Sequence, residues 1–314
     1  MANDLRPTNF DTYIGQTHAM PGIKVMVESA KKRGCSVGHL LFSGPPGLGK
    51  TTIAQVIANE FGSNLHFVNA PNLTSRGKLI EEIFKVGEND IFFIDEIHQL
   101  PLAVEEFLYP AIEDFTVELV VGANRNKQTK QLELDNFTLV GATTRAGYVS
   151  SPLRTRFQKI VRMKYYSVDE LARIVLNSSE KLGLSLTRNA AEEVARRARG
   201  TPRTANQHLK IVRDYVIVEE IQRVEQHHVA EILGVSGIDS AGLTLPDKLY
   251  LEALMNSPGD HVGLTTLASI VDEEQATIED TIEPFLLKEG FVIKTSRGRK
   301  ITDKGIRHME VEYV

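Results

Sequence analysis

Short apolar runs alternate with amphipathic stretches through the first half of the chain. This is the pattern of a parallel sheet buried on both faces and crossed over by helices. The runs HLLFS (39–43), LHFVN (65–69), DIFFID (90–95), FTLVGA (137–142) and QKIVRM (158–163) predict strands, with helices between them at 50–61, 76–86 and 103–113. From 115 to 134 the period shortens to alternating apolar and polar positions, as in FTVELVV and KQLEL. That alternation predicts a β-hairpin, with its turn near 123–127.

Beyond Tyr166 the strand pattern stops. Ser167 offers a side-chain cap for a helix over 168–182, and helical periods continue at 189–199, 202–219 and 226–233. The Gly/Ser-rich stretch 234–242 reads as a linker. Helices at 246–255, 264–270 and 275–289 then lead into GFVIKTSRGRKIT, two β-prone runs around a basic Arg-Gly turn. Three helices followed by a β-hairpin is the pattern of a winged helix, a small DNA- or protein-binding module. The chain shows no internal repeat or low-complexity tract.

Composition narrows the class. At 314 residues the chain has room for two or three domains, and its 42% hydrophobic and 25% charged content is that of a soluble globular protein. No apolar run reaches the ~18–20 residues of a membrane span. The opening MANDLRPTNF has neither the basic leader nor the apolar segment of a secretory signal, so a cytoplasmic location is expected. A single cysteine, Cys35, excludes an intramolecular disulfide and a cysteine-cluster metal site. The net charge of −5 argues against a protein that coats nucleic acid with its whole surface. A local patch remains: residues 288–308 hold seven Lys/Arg against two acids, Glu289 and Asp303.

The strongest chemical signal is GPPGLGKT at 44–51, which matches G-x-x-x-x-G-K-[ST] and sits between an apolar strand and a helix. Glycines there let the backbone curl so that its N–H groups face phosphate oxygens, and the helix N-terminus adds a favourable dipole. Lys50 is then placed to reach the β- and γ-phosphates of ATP, and the Thr51 hydroxyl to ligate Mg²⁺. The run IFFIDE (91–96) reads as a buried strand ending in two acids at the sheet edge where ligands bind. Asp95 suits the Mg²⁺ shell, and Glu96 is placed to polarise an attacking water. The strand over 137–142 runs into Thr143 and Thr144, setting hydroxyls beside the loop. Arg154 and Arg156 precede the last strand, and spacing alone favours reading them as solvated surface residues.

Together these residues resemble the AAA+ ATPases and, within them, the bacterial Holliday-junction branch-migration motors. The resemblance runs through LLFSGPPGLGKTT, IFFIDEIH, VEEFLYPAIEDF, FTLVGATTRAG, SSPLRTRF, RGTPR, TIEDTIEPFLLKEGF and TSRGR, nearly the whole chain. It implies an α/β fold: an AAA+ P-loop parallel-sheet domain over 1–166, a helical lid over 167–237 and a winged-helix DNA-binding domain over 238–314. By resemblance Leu5, Arg6 and Tyr166 lie at the adenine-ribose end of ATP, and Gly47, Gly49, Lys50, Thr51 and Thr52 hold phosphate and metal. Glu113, Asp114 and Phe115 count among the nucleotide contacts. Thr143 or Thr144 is the hydroxyl that senses the γ-phosphate, with either open at this point. Arg203 is the lid arginine that reaches the same phosphate.

The resemblance further implies that Arg156 is an arginine finger supplied to the neighbouring subunit's ATP in a homohexamer around the duplex arms of a four-way junction. Wing residues Lys294, Arg297 and Arg299 are expected to meet phosphates without regard to sequence. Lys294 stands where such proteins usually carry arginine. The hairpin over 115–134 is expected to face RuvA, the junction-binding partner, with RuvC as a further partner. It departs from the family pattern, with Lys130 at an expected apolar contact and Leu132 retained.

Two other readings compete with the DNA motor. A protein-unfolding relative would carry an aromatic pore loop where this chain has the polar NLTSRGK at 72–78. A nucleotide-dependent binding switch that never turns over would need neither Glu96 nor Arg156.

Overall fold

The computed structural model describes residues 5–121, 128–257, 259 and 261–312, so the expected hairpin turn at 123–127 lies outside the described residues. The chain divides into two compact units, Met1–Glu170 with Thr201–Arg203, and Leu171–Gly200 with Thr204–Val314.

In the first unit, β1 (Leu40–Ser43), β2 (Leu65–Asn69) and β3 (Ile91–Asp95) are followed by a hairpin, β4 (Thr116–Val121) and β5 (Gln128–Glu133), and then by β6 (Thr138–Thr143) and β7 (Lys159–Arg162). Five of these form a parallel sheet in the order β2-β3-β6-β1-β7. Every residue of β1 and β6 is buried, which is why these strands read as unbroken apolar runs rather than alternating ones. Register sets Ser43 opposite Thr143 and Arg162, and Asn69 opposite Asp95, so the strands finish along one edge. His39, Phe137 and Gln158 precede β1, β6 and β7 and lie along the other edge.

The helices of this unit are α1 (Met20–Arg33), α2 (Lys50–Phe61), α3 (Arg76–Ile83), α4 (Leu102–Glu113) and α5 (Ser151–Thr155). The strand-period reading missed α1, although its buried residues Met20, Ile23, Val27 and Ala30 recur at helical spacing. In the hairpin, Val117 faces Leu132 and Leu119 faces Lys130. Val117 is fully buried, and Leu132 packs against this unit's own core. Leu132 is therefore occupied internally, whereas Lys130 is exposed.

The remaining helices are α6 (Val168–Lys181), α7 (Arg188–Arg197), α8 (Pro202–Val218), α9 (Gln226–Val235), α10 (Leu245–Met255) and α11 (Leu264–Val271). The stretch expected as a linker is an ordered turn. The buried carboxylate of Asp239 accepts from the Ala241 and Leu243 N–H groups at 2.9 and 2.8 Å and lies 3.0 Å from His308 Nε2. Arg197 donates to the Ile238 carbonyl at 3.0 Å, and Arg199 pairs with the buried Asp247 at 2.9 Å. Glycine and serine content signals a turn, and here buried polar partners immobilise it.

The helix expected over 275–289 is broken into α12 (Gln275–Thr277), a π-turn at Ile278–Ile282 and α13 (Glu283–Glu289). Pro284 supplies the reason. It has no N–H for the carbonyl four residues back, and the ladder widens just before it, with the Glu283 N–H bonded to the Ile278 carbonyl. The wing strands β8 (Val292–Thr295) and β9 (Gly298–Ile301) pair antiparallel, and a further helix, α14 (Asp303–Glu312), closes this core through Met309. Among the described residues no helix is long and apolar enough to cross a membrane.

Candidate nucleotide site and basic wing

The loop between β1 and α2 is built for an anion. Gly44, Gly47 and Gly49 hold φ values of 147°, 81° and 94°, a region that side chains resist. A Cβ on Gly47 would also stand 3.2 Å from Arg203 Cβ. Lys50 is buried, and its ammonium donates to the Gly44 and Pro45 carbonyls at 2.6 and 3.0 Å. Burial pushes its pKa below the ordinary lysine value, Glu96 and Asp95 oppose that, and Arg203 adds to it. Thr51 and Thr52 follow in the first turn of α2, half-buried.

Asp95 ends β3 beside this loop. Burial raises its carboxyl pKa and repulsion from Glu96 adds to the rise, against a hydrogen bond from the Glu96 N–H and the charges of Lys50 and Arg203. Among the described residues no three His, Cys, Asp or Glu side chains group as a metal site. A cation here would draw on Asp95, Thr51 and phosphate oxygens, the donor set that suits Mg²⁺. The residues fit the group. Two cations and a row of loop N–H groups call for an anion, and two acids beside them call for a divalent ion between.

Glu96 adopts a left-handed backbone, φ 48° and ψ 44°, uncommon for a side chain of this kind. Its Oε2 accepts from the Thr144 N–H at 3.0 Å and the Thr144 hydroxyl at 2.9 Å, and lies 3.3 Å from His98 Nδ1. Thr143 Oγ1 stands 3.0 Å from the same His98 nitrogen and accepts the Arg145 N–H at 3.0 Å. The two threonines thus divide their work. Thr143 is fully buried, and Thr144 is partly exposed beside Glu96.

Arg203 reaches the loop through its N–H, 3.4 Å from the Gly47 carbonyl. Tyr166 donates to the Leu48 carbonyl at 3.2 Å, and its hydroxyl lies 3.2 Å from that of Tyr13. Burial raises both phenol pKa values. Sequence reasoning missed Tyr13 and His98 as site residues; their distant partners, Tyr166 and Thr143, give no local signal. A Cβ on Gly15 would lie 2.3 Å from the Tyr166 ring, so that position needs glycine. Leu5 is buried and Arg6 exposed.

Arg156 and its neighbours lie at the other edge of the sheet. The Gln158 N–H bonds the His39 carbonyl at 3.0 Å, and His39 Nε2 lies 2.8 Å from the Ile112 carbonyl, so the residues before β7 and the end of α4 meet where strands begin. There Arg156 donates to Glu113 at 3.0 Å and to the Pro152 carbonyl at 2.7 Å, over the Tyr109 ring at 4.1 Å. Its buried Nε has no hydrogen-bond partner among the described residues. Phe115 packs on His39 and Phe137, and Asp114 is the exposed cap of α4. A strand of four residues separates this edge from the phosphate loop, roughly 13 Å. Glu113, Asp114, Phe115 and Arg156 are therefore not assembled with Lys50 of their own chain. Arg154 donates to the Ala146 and Val149 carbonyls at 3.0 and 2.8 Å.

The wing departs from three equivalent phosphate contacts. Arg299 is largely buried and donates to Glu283 at 2.7 Å and Glu279 at 3.1 Å, and Lys294 sits 2.5 Å from the other Glu283 oxygen. Glu283 is fully buried and also accepts from the Tyr250 hydroxyl at 2.8 Å. Burial alone would raise the Glu283 pKa, but hydrogen bonds from Arg299, Lys294 and Tyr250 hold it below the usual carboxylate range. The Arg299 pKa is raised by its bond to Glu283. Only Arg297, at the wing tip, has an exposed side chain without a partner among the described residues.

Comparison with known proteins finds likeness to one family along nearly the whole chain. Residues 5–163 match the Holliday junction DNA helicase RuvB P-loop domain, 166–239 the RuvB AAA lid domain, and 240–310 the RuvB C-terminal winged helix domain. The Holliday junction branch migration complex subunit RuvB of Campylobacter hominis is 42% identical over 309 residues, 98% of this chain and 91% of that protein. Its counterpart in Campylobacter curvus is 44% identical over 96% of this chain and 89% of its own length. The solved structure of the Thermotoga maritima RuvB Holliday junction branch migration motor superposes with a TM-score of 0.88 at 39% identity, covering 98% of each chain. With its P-loop sheet, helical lid and winged helix in that order, the chain belongs to the RuvB family of AAA+ ATPases.

Proposed function

We propose that this chain is the subunit of an ATP-driven hexameric motor that encircles duplex DNA and drives branch migration of four-way junctions in recombination and repair, in the cytoplasm with RuvA and RuvC. Its working parts follow the division into 1–166, 167–237 and 238–314. Lys50 and Arg203 hold the terminal phosphates against the Gly47 and Gly49 backbone, and Leu5, Arg6 and Tyr166 flank the base and ribose. Thr51 and Asp95 hold Mg²⁺, which supplies charge neutralisation at the β- and γ-phosphates when bound. Glu96, with Oε2 clasped by Thr144, offers Oε1 to take the proton of the attacking water. Thr144 rather than Thr143 is the sensing hydroxyl, a reading supported by the burial of Thr143 and by the partial exposure of Thr144 beside Glu96.

The observation that carries the ring is the position of Arg156, at the sheet edge opposite its own Lys50, Asp95 and Glu96. A guanidinium there stabilises phosphoryl transfer only in a neighbour's site, where such a group is worth about 10³–10⁵ in rate. Glu113, Asp114 and Phe115 share that edge and would approach the same neighbouring nucleotide. The partner-facing hairpin offers Lys130, since Leu132 is turned into the core.

The test mixes two inactive proteins, Arg156→Ala and Glu96→Gln. With the finger acting between subunits, mixed rings regain ATP turnover, because some sites combine an intact base with a neighbour's arginine. No recovery in mixtures shown to co-assemble would overturn the reading. Branch migration of a synthetic four-way junction with and without RuvA then tests the DNA role and the altered hairpin.

A further inference from the structure

We propose that His98 is a positioning residue for Glu96, coupling the buried Thr143 to the oxygen of the general base. The inference rests on the reading of Glu96 as that base. Nothing about His98 suggested chemistry in the sequence, where it is one histidine in IFFIDEIH. In the fold its side chain is nearly buried, with Nδ1 3.3 Å from Glu96 Oε2 and 3.0 Å from Thr143 Oγ1.

The chemistry of these neighbours fixes the imidazole proton. The Glu96 carboxylate only accepts, so a lone pair on Nδ1 would face it repulsively. With the proton on Nδ1, the N–H donates to Thr143 Oγ1 while facing Glu96 Oε2 at 3.3 Å, and Thr143 also accepts the Arg145 N–H. Two consecutive residues at the end of β6 then hold one carboxylate from two sides. Thr144 donates to Oε2 directly, and Thr143 anchors the imidazole that approaches the same oxygen.

This bracket answers a conformational problem. Glu96 has a left-handed backbone, whose cost of order 1–3 kcal/mol persists only where the surroundings enforce it. Anchoring Oε2 from β6 determines where Oε1 points, and a misplacement of about 1 Å in a reacting group costs on the order of 10²-fold in rate. His98 thereby acts on turnover while leaving the phosphate-binding loop untouched.

The experiment compares His98→Leu, His98→Asn and His98→Gln in the full-length protein. It measures kcat, KM, the affinity for a fluorescent ATP analogue and the melting temperature. Asparagine can place an N–H donor near the Nδ1 position, whereas glutamine extends its amide toward the Nε2 position. The expected result is a fall in kcat of tenfold or more for His98→Leu and His98→Gln, with nucleotide affinity within twofold of wild type. His98→Asn should recover much of the loss. Adding His98→Leu to Glu96→Gln should lower the rate no further.

Equal loss in the Asn and Leu variants, a change confined to KM or melting temperature, or additive loss in the double variant would each overturn the proposal. If Glu96→Gln itself turns over like wild type, the general-base reading fails. If Glu96→Gln is inactive and His98→Leu is not impaired, only the role of His98 falls.

Discussion

His208 is buried in α8, its Nδ1 has no hydrogen-bond partner among the described residues, and Arg197 and Arg199 add their charges nearby. Burial first, then these two guanidinium groups, lower its pKa from 6.5 to about 4. The unfolded chain therefore takes up a proton near pH 6.5 that the folded chain refuses until about pH 4. Stability from this group is complete above that window and declines as pH falls through it, by at most about 3 kcal/mol. In urea titrations, His208→Leu should flatten the decline between pH 7 and 4 relative to wild type. An unchanged slope in the variant would assign the decline elsewhere. The site residues differ from His208 in legibility. Lys50, Thr51, Asp95 and Glu96 were readable because each is adjacent in sequence to the glycine loop or strand that positions it. His98 owes its setting to Thr143, 45 positions along the chain, and His208 to burial and to two arginines outside its own helix.

Across the winged helix, the same reasoning separates residues that look alike in sequence. Arg297 and Arg299 are two positions apart on one basic turn, yet the first is exposed and the second is paired with the buried Glu283. Arg297→Ala should leave the melting temperature unchanged and weaken duplex binding, reducing the slope of log affinity against log salt by about 0.9. Arg299→Ala leaves a buried carboxylate without its main partner and should cost roughly 3 kcal/mol in stability. Glu283→Gln should destabilise likewise, while removing the acid-induced loss that wild type shows as pH falls below the ordinary carboxylate range. Similar melting curves for the Arg297 and Arg299 variants would contradict this division. The π-turn before Pro284 belongs to the same element, since it sets the register from which Glu279 and Glu283 reach the wing.

For the chain as a whole, the two edges of the central sheet hold the two groups of residues on which the proposed reaction depends. The phosphate loop, Asp95 and the Glu96 bracket lie where strands end, and Arg156 with Glu113 lies where they begin. With Arg156 serving a neighbour's site as proposed, turnover per subunit should rise steeply with protein concentration through the assembly range. ATP hydrolysis whose specific rate stays constant on dilution to monomer would rule this out. Within one subunit the Arg156–Glu113 contact gives the guanidinium a defined place before any neighbour is met.

Sequence by itself determined the local machinery: apolar runs of strand length, a glycine loop opening a helix, acids at a strand end and a basic turn near the C-terminus. These follow from backbone sterics and burial acting over a few residues. Tertiary structure alone decided which of two threonines meets Glu96, which wing arginine is free, and that Arg156 stands across the sheet from its own Lys50. Those outcomes depend on strand order and register, which bring Thr144 to Glu96 and Glu113 to Arg156 across 48 and 43 positions of chain. Hydrogen bonds and ion pairs act over a few ångströms, so a side chain's partner is set by packing distance rather than by distance along the chain.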